Sequence, residues 1–123
     1  MRLALLAIPC VLASCGAAFS AEPMAPSDIQ TTFFNGQPFT ASTQSGTKFR
    51  MIFASDGKMT REPLARSGAK TNGKWKLNAN GFCTTWERGE QNCFTLVPGS
   101  QNKWFVRKIT TTTIGTTVAI WSK

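Results

Sequence analysis

Histidine and tyrosine are both missing from this 123-residue chain, and only six of its residues are acidic. Without histidine, the Ser-His and Cys-His arrangements of nucleophilic catalysis are excluded. Nor can a set of nitrogen and sulfur ligands for zinc be completed around the cysteines. A glycosidase pair needs two carboxyls across a cleft, one with a raised pKa. Glu87 and Glu90 instead flank a hairpin tip, where charge is solvated. Internal repeats are absent, and Leu and Ala are scarce beyond the first twenty residues. After the apolar run at Leu3 to Leu12, no segment approaches membrane-spanning length. These absences point to a protein that is not an enzyme and uses no cofactor or metal.

What is present begins with "MRLALLAIPCVLASCGAAFSAEP". Arg2 supplies a positive n-region, Leu3 to Leu12 an apolar h-region, and Ala18-Phe19-Ser20 a small-residue cleavage site before Ala21. Residues 1–20 therefore read as a signal peptide, and Cys10 leaves with it. Leu12 to Cys15, "LASC", resembles a bacterial lipobox, which implies lipidation on Cys15 as the alternative processing. Both routes export the protein, to the periplasm or the exterior, free or membrane-anchored through Cys15. The Pro-rich residues 21–26 read as a flexible tether. Residues 27–123 form one domain of about one hundred residues, with an adequate core.

The chain carries fourteen Lys and Arg, a formal net charge of +8. Without Arg2, thirteen bases face six acids, leaving +7. Such a balance favours polyanionic partners, namely anionic envelope components such as lipid surfaces, lipopolysaccharide or acidic polymers, or nucleic acid, or is simply colloidal charge. No specific nucleic-acid motif is present.

Abundant Thr, Phe and Trp favour strands over helices. "SDIQTTFFNG" reads as one short helix, with Ser27 as N-cap, Asp28 against the dipole and Gly36 as the stop. Ile29, Phe33 and Phe34 fall on its apolar face. "TKFRMIFA" alternates, with Phe49, Met51 and Phe53 on one side. An Asp56-Gly57 turn leads to "KMTRE", whose alternation is poorer because Met59 and Arg61 share a face. "PLARSGAKTNG" reads as a loop, and "GKWKLN" as a strand with Trp75 and Leu77 facing alike. "FCTTWE", "KWFVRKI" and "GTTVAIW" follow, the last two joined by Thr110 to Thr113. Six to eight short strands with turns between them imply an antiparallel sandwich or small barrel, with the helix capping an open end. Trp75, Trp86, Phe49, Phe53, Phe94 and Val118 are the expected core.

The stretch "GFCTTWERGEQNC" holds Cys83 and Cys93. If the two oppose each other across a hairpin, 86 pairs with 90 and Glu87-Arg88-Gly89 is a three-residue loop. Such loops want a left-handed last residue, and Gly89 supplies it. Opposed residues lie about 4.5–5.5 Å apart, within disulfide reach. Closing a loop of about eleven residues stabilises by roughly 2.5–3 kcal/mol. A redox pair would have C-x-x-C spacing. A structural disulfide is therefore expected, on the outer face opposite Phe82, Trp86, Phe94 and Leu96.

Two motifs match by chance. "SGAK", Ser67 to Lys70, fits S-x-x-K, but its glycine-rich surroundings make a loop rather than the required helix. "GAKTNGK" fits G-x-x-x-x-G-K, but Trp75 stands where a P-loop needs Ser or Thr. The basic run Lys58, Arg61, Arg66, Lys70, Lys74 and Lys76, with Trp75 inside it, is a candidate polyanion-binding patch. Trp75 faces away from Lys74 and Lys76, which weakens it as a stacking platform.

The order of features resembles a family of small exported bacterial β domains of uncharacterised function. These features are a leader, a helix ending in "FFNG", a "DG" hairpin, a "GKW" strand, and "CTTW" before a second Cys. The resemblance spans most of residues 27–110 and implies a mostly β fold, an antiparallel meander sheet or small calycin-like barrel with one short N-terminal helix. A weaker resemblance, carried by Ser45-Gly46-Thr47-Lys48-Phe49, is to periplasmic inhibitors of c-type lysozyme, whose loop has Tyr where this chain has Phe49. The sequence thus predicts an exported envelope protein that binds a ligand or partner. The alternatives are a barrel holding a small apolar ligand, whose sign would be a cavity lined by Phe and Trp, and a lysozyme inhibitor.

Overall fold

The inward–outward alternation first visible at Lys48 runs through eight strands that close on themselves. The computed structural model describes residues 22–65, 68–111 and 113–123. Residues 1–20, expected to be a signal peptide, with Cys10 and Cys15, and also Arg66 and Ser67, lie outside the described residues. One helix, α1 (Pro26–Phe33), precedes β1 (Phe39–Thr43), β2 (Lys48–Phe53), β3 (Lys58–Pro63), β4 (Thr71–Asn78), β5 (Gly81–Trp86), β6 (Gln91–Pro98), β7 (Lys103–Thr110) and β8 (Thr113–Ser122). Each strand pairs antiparallel with the next, and β8 returns to β1 through Ala41↔Trp121, giving a closed meander barrel. Closure leaves no unpaired sheet edge. Eight strands enclose a space that side chains can nearly fill.

The sequence pattern missed β1. "FTAST" has a single large apolar residue, Phe39, so it carries little strand signal by itself. It is held by pairing with both β2 and β8. The loop after β3 is shorter than expected, because β3 runs to Pro63 and β4 begins at Thr71. The threonine run falls at the β7–β8 connection, with Thr110 and Thr113 as register partners.

Helix α1 starts two residues earlier than expected. Pro26 takes the first turn and Ala25, not Ser27, is the N-cap, with no side-chain capping bond. A proline's fixed φ suits this position, where its missing N–H is not needed. The segment expected to be a tether makes a specific bond, as the Met24 N–H donates to the Leu96 carbonyl at 2.8 Å. Leu96 lies beyond the β5 pairing, so Met24 satisfies a carbonyl that β5 does not reach. After the helix, the Gly36 N–H bonds the Phe53 carbonyl, fixing α1 over the end of β2.

The apolar face of α1 closes one end of the barrel. Ile29, Phe33 and Phe34 are buried. Phe33 meets Phe39, Trp104 and Trp121 edge-on at 4.9–5.1 Å. Phe34 stacks on Phe53 at 4.5 Å and lies 4.5 Å from Trp75. Full burial of such side chains is worth about 1.5–3 kcal/mol each. The buried core therefore gathers at the helix end, around Phe39, Met51, Phe53, Phe82, Leu96 and Trp121. Of the expected core residues only Phe53 is fully buried; Phe49, Trp75, Trp86, Phe94 and Val118 pack against this cluster but stay partly accessible.

Cys83 and Cys93 are register partners and form a disulfide, with Cα atoms 3.9 Å apart, closer than the expected spacing. The hairpin beyond them departs from expectation in one respect. The left-handed residue is Arg88 (φ 63°), not Gly89, whose N–H bonds the Trp86 carbonyl at 2.9 Å. The disulfide lies on the outer face by alternation, yet Cys83 is only 3 % exposed. Asn78 Nδ2 donates to its sulfur at 3.2 Å.

Candidate functional site

At the end of the barrel away from α1, the strands bring a different set of side chains inward. Alternation turns Thr43 of β1, Phe49 of β2, Arg61 of β3, Trp86 of β5 and Phe94 of β6 toward the axis. With Phe53, Phe82 and Trp121 below them, they line an interior cavity of about 140 Å³. The helix end is filled by phenyl and indole rings from both the barrel and α1, and no described element supplies an equivalent plug at the other end.

Two backbone features shape this half. Gly73 of β4 sits between Met59 and Trp86 in the register. A Cβ there would lie 2.6 Å from Met59 Cε, 2.8 Å from the Thr85 carbonyl oxygen and 3.0 Å from Trp86 Cε3. The missing side chain thus lets the Trp86 indole lie down on β4. In β8, the register slips between Val106↔Ala119 and Arg107↔Thr117, leaving Val118 as an extra residue. Such a bulge bends the strand and re-aims its side chains. As a result the consecutive residues Val118 and Ala119 both border the cavity.

Arg61 is the charged member of the lining. Its guanidinium carbon lies 4.3 Å from the centre of the Trp86 ring and 5.2 Å from that of Phe49. Burial lowers its pKa. An arginine remains protonated through the physiological range all the same. Neighbouring Glu62 turns outward by alternation, where it opposes Arg50. The expected polyanion patch is therefore divided. Arg61 faces inward because its strand position shares parity with Met59, and Arg66 lies outside the described residues. Lys58 and Lys74 do meet, as direct cross-strand partners on the outer face, with Lys76 two residues along. Lys58 and Lys74, but not Lys76, border an open groove of about 470 Å³ that also holds Thr60, Asn72, Trp86 and Glu87. Like charges placed directly opposite each other weaken a strand pair slightly. Lys70 stands apart in the loop before β4. Trp75 points inward, its Nε1–H bonded to the Ala54 carbonyl at 2.8 Å, so it offers no stacking surface to this groove.

The rim of the cavity continues outward. Phe49 also lines a groove of about 690 Å³ formed by Ser45, Gly46, Thr47, Lys48, Pro63 and Leu64. The Ser45–Phe49 stretch is the β1–β2 turn and the start of β2. Leu64 is exposed beside it, and its N–H bonds the Lys48 carbonyl. The "GAKTNGK" match spans a coil and the start of β4, so its backbone is extended rather than curled into a phosphate cradle. Among the described residues no three His, Cys, Asp or Glu side chains cluster as metal ligands would. No helix among them is long and apolar enough to cross a membrane.

The basic run singled out Arg61 for the wrong surface. The signal that placed it correctly was its shared face with Met59 in "KMTRE". Thr84 carried no signal, whereas Val118 was among the expected core residues. Compared with known proteins, the chain matches no family model, no curated protein and no solved structure.

Proposed function

We propose that this protein is a non-enzymatic, exported binding protein of the cell envelope whose barrel holds a small, mainly apolar ligand in its open half. The observation that carries this reading is the 140 Å³ cavity lined by Phe49, Phe53, Phe82, Phe94, Trp86 and Trp121. An apolar cavity of about 150 Å³ is large enough for a benzene-sized molecule. Small-ligand sites are typically apolar concavities with a few placed polar groups, and barrel mouths are among their usual positions. The leader at residues 1–20 supports export, and the Cys83–Cys93 disulfide suits an oxidising compartment.

The test is titration of the folded protein with ethylbenzene, followed by tryptophan fluorescence and by methyl NMR shifts. Saturable binding that shifts Val118 and Met51 is expected. Val118→Phe, which fills the cavity, should abolish it. Identical responses of wild type and Val118→Phe, or no saturation up to the solubility limit, would refute the reading.

A further inference from the structure

Arg61 is an unusual residue to find inside this barrel. It is the sole charged side chain among the described residues lining the cavity. Its position is fixed by register, with Met51 opposite on β2 and Thr71 opposite on β4. The two aromatic contacts, to Trp86 and Phe49, engage the cation through ring faces. They offer nothing to its N–H groups. A guanidinium has five donors in a planar fork, matched to the two oxygens of a carboxylate. Partly desolvated cations are costly unless paired. The charge and the apolar space lie side by side, since Phe49, Trp86 and Arg61 border one cavity.

We propose that the ligand is a small amphipathic carboxylate, its apolar end in the cavity and its carboxylate held in the plane of the Arg61 guanidinium. This deepens the binding reading above and rests on it. The volume sets the size of the apolar end at about one phenyl ring or a short branched chain. A single arginine sets the charge at one. Phe49 and Trp86 act as positioning residues: the cation lies over their ring faces, and neither ring takes a conventional hydrogen bond from its N–H groups, which are left for the anion. Thr84, 5 % exposed and also in the lining, brings a hydroxyl into the same space.

The experiment compares three probes by calorimetry on the full domain with its disulfide intact: ethylbenzene, 3-phenylpropanoate and the neutral 3-phenylpropanamide. The acid should bind about 10–100-fold more tightly than the amide, the range expected for a charge-assisted hydrogen bond. This comparison is made on the wild-type protein and needs no variant. In Arg61→Met, which keeps an apolar stem, the preference for acid over amide should vanish while ethylbenzene still binds. Arg61→Lys, with its charge but no fork, should keep a reduced preference. Equal affinities of acid and amide for wild type would overturn the carboxylate assignment and leave the apolar-ligand reading standing. An acid preference that survives in Arg61→Met would also overturn it, by placing the anion elsewhere, such as at Lys48 on the rim. Failure of all three probes to bind would instead overturn the cavity reading itself.

Discussion

Replacing Phe34 by alanine should remove a large part of the stability of this fold. The side chain is 1 % exposed, stacked on Phe53 at 4.5 Å, tilted against Trp75 at 4.5 Å and edge-on to Phe82 at 5.3 Å. Two costs add. Returning a phenylalanine's worth of apolar surface to water costs about 1.5–3 kcal/mol. A phenyl-sized void of on the order of 80 Å³, at about 24 cal/mol per Å³, adds about 2 kcal/mol. The sum falls in the range of about 3–5 kcal/mol seen for such truncations. A domain of this size is stable by roughly 5–15 kcal/mol in all. The void should stay open, because its walls are the rings of Phe53, Trp75, Phe82 and Trp121, anchored in four different strands, and cannot collapse together. The assay is urea denaturation followed by tryptophan fluorescence under non-reducing conditions. With m between about 1 and 3 kcal/mol/M, the midpoint should fall by at least about 1 M. Phe34→Leu, which refills most of the space, should recover more than about half of the loss. A midpoint shift below about 0.3 M with unchanged m would refute the reasoning, since it would mean that α1 is not a packed plug of the barrel.

Four further outcomes are expected. Reducing the Cys83–Cys93 disulfide, or replacing both cysteines by alanine, should cost roughly 2.5–3 kcal/mol, read as a lower urea midpoint; an unchanged midpoint would show that the closed loop does not constrain the unfolded chain. Thr95 is buried, and its Oγ1 has no hydrogen-bond partner among the described residues. Thr95→Val should therefore stabilise by about 1 kcal/mol and raise Tm by roughly 4–8 °C, whereas a fall of that size would reveal a partner such as a bound water. Gly73→Ala places a Cβ 2.6 Å from Met59 Cε and 2.8 Å from the Thr85 carbonyl, so it should displace Trp86, blue- or red-shift its emission, and weaken ethylbenzene binding; an unaltered spectrum would show that the indole does not depend on that space. Intact mass of the protein from its native envelope should begin at Ala21, or carry a lipid adduct on Cys15; a chain that retains residues 1–20 would contradict export by either route.

The sequence was most legible where one face of an element carries all its large apolar residues. "TKFRMIFA" showed its inward face by alternation alone, as did Trp75 with Leu77, and the cysteine spacing together with the hairpin register placed Cys83 opposite Cys93. Expectations failed where position depended on the far side of the barrel. β1 has one aromatic residue, and one of its two pairing partners lies as far away as Ala119–Ser122, so its own residues do not show its reason to be a strand. The left-handed residue of the cysteine hairpin was assigned to Gly89 because glycine adopts that conformation most easily, but the turn placed Arg88 there.

The candidate site was hidden for a related reason. Arg61 reads as one more base in a basic stretch, and its poor fit to the alternation of "KMTRE" looked like a weak strand. It is a strand of ordinary alternation with a charge on its inner face. By itself the sequence determined the strand-rich composition, the stapled hairpin and the apolar face of α1, because these follow from neighbours within about ten residues. Closure of the barrel, the gathering of the core at the helix end and the cavity beside Arg61 were decided only in three dimensions. They depend on which rings meet across the axis, and on where a bulge at Val118 and a missing side chain at Gly73 let them lie.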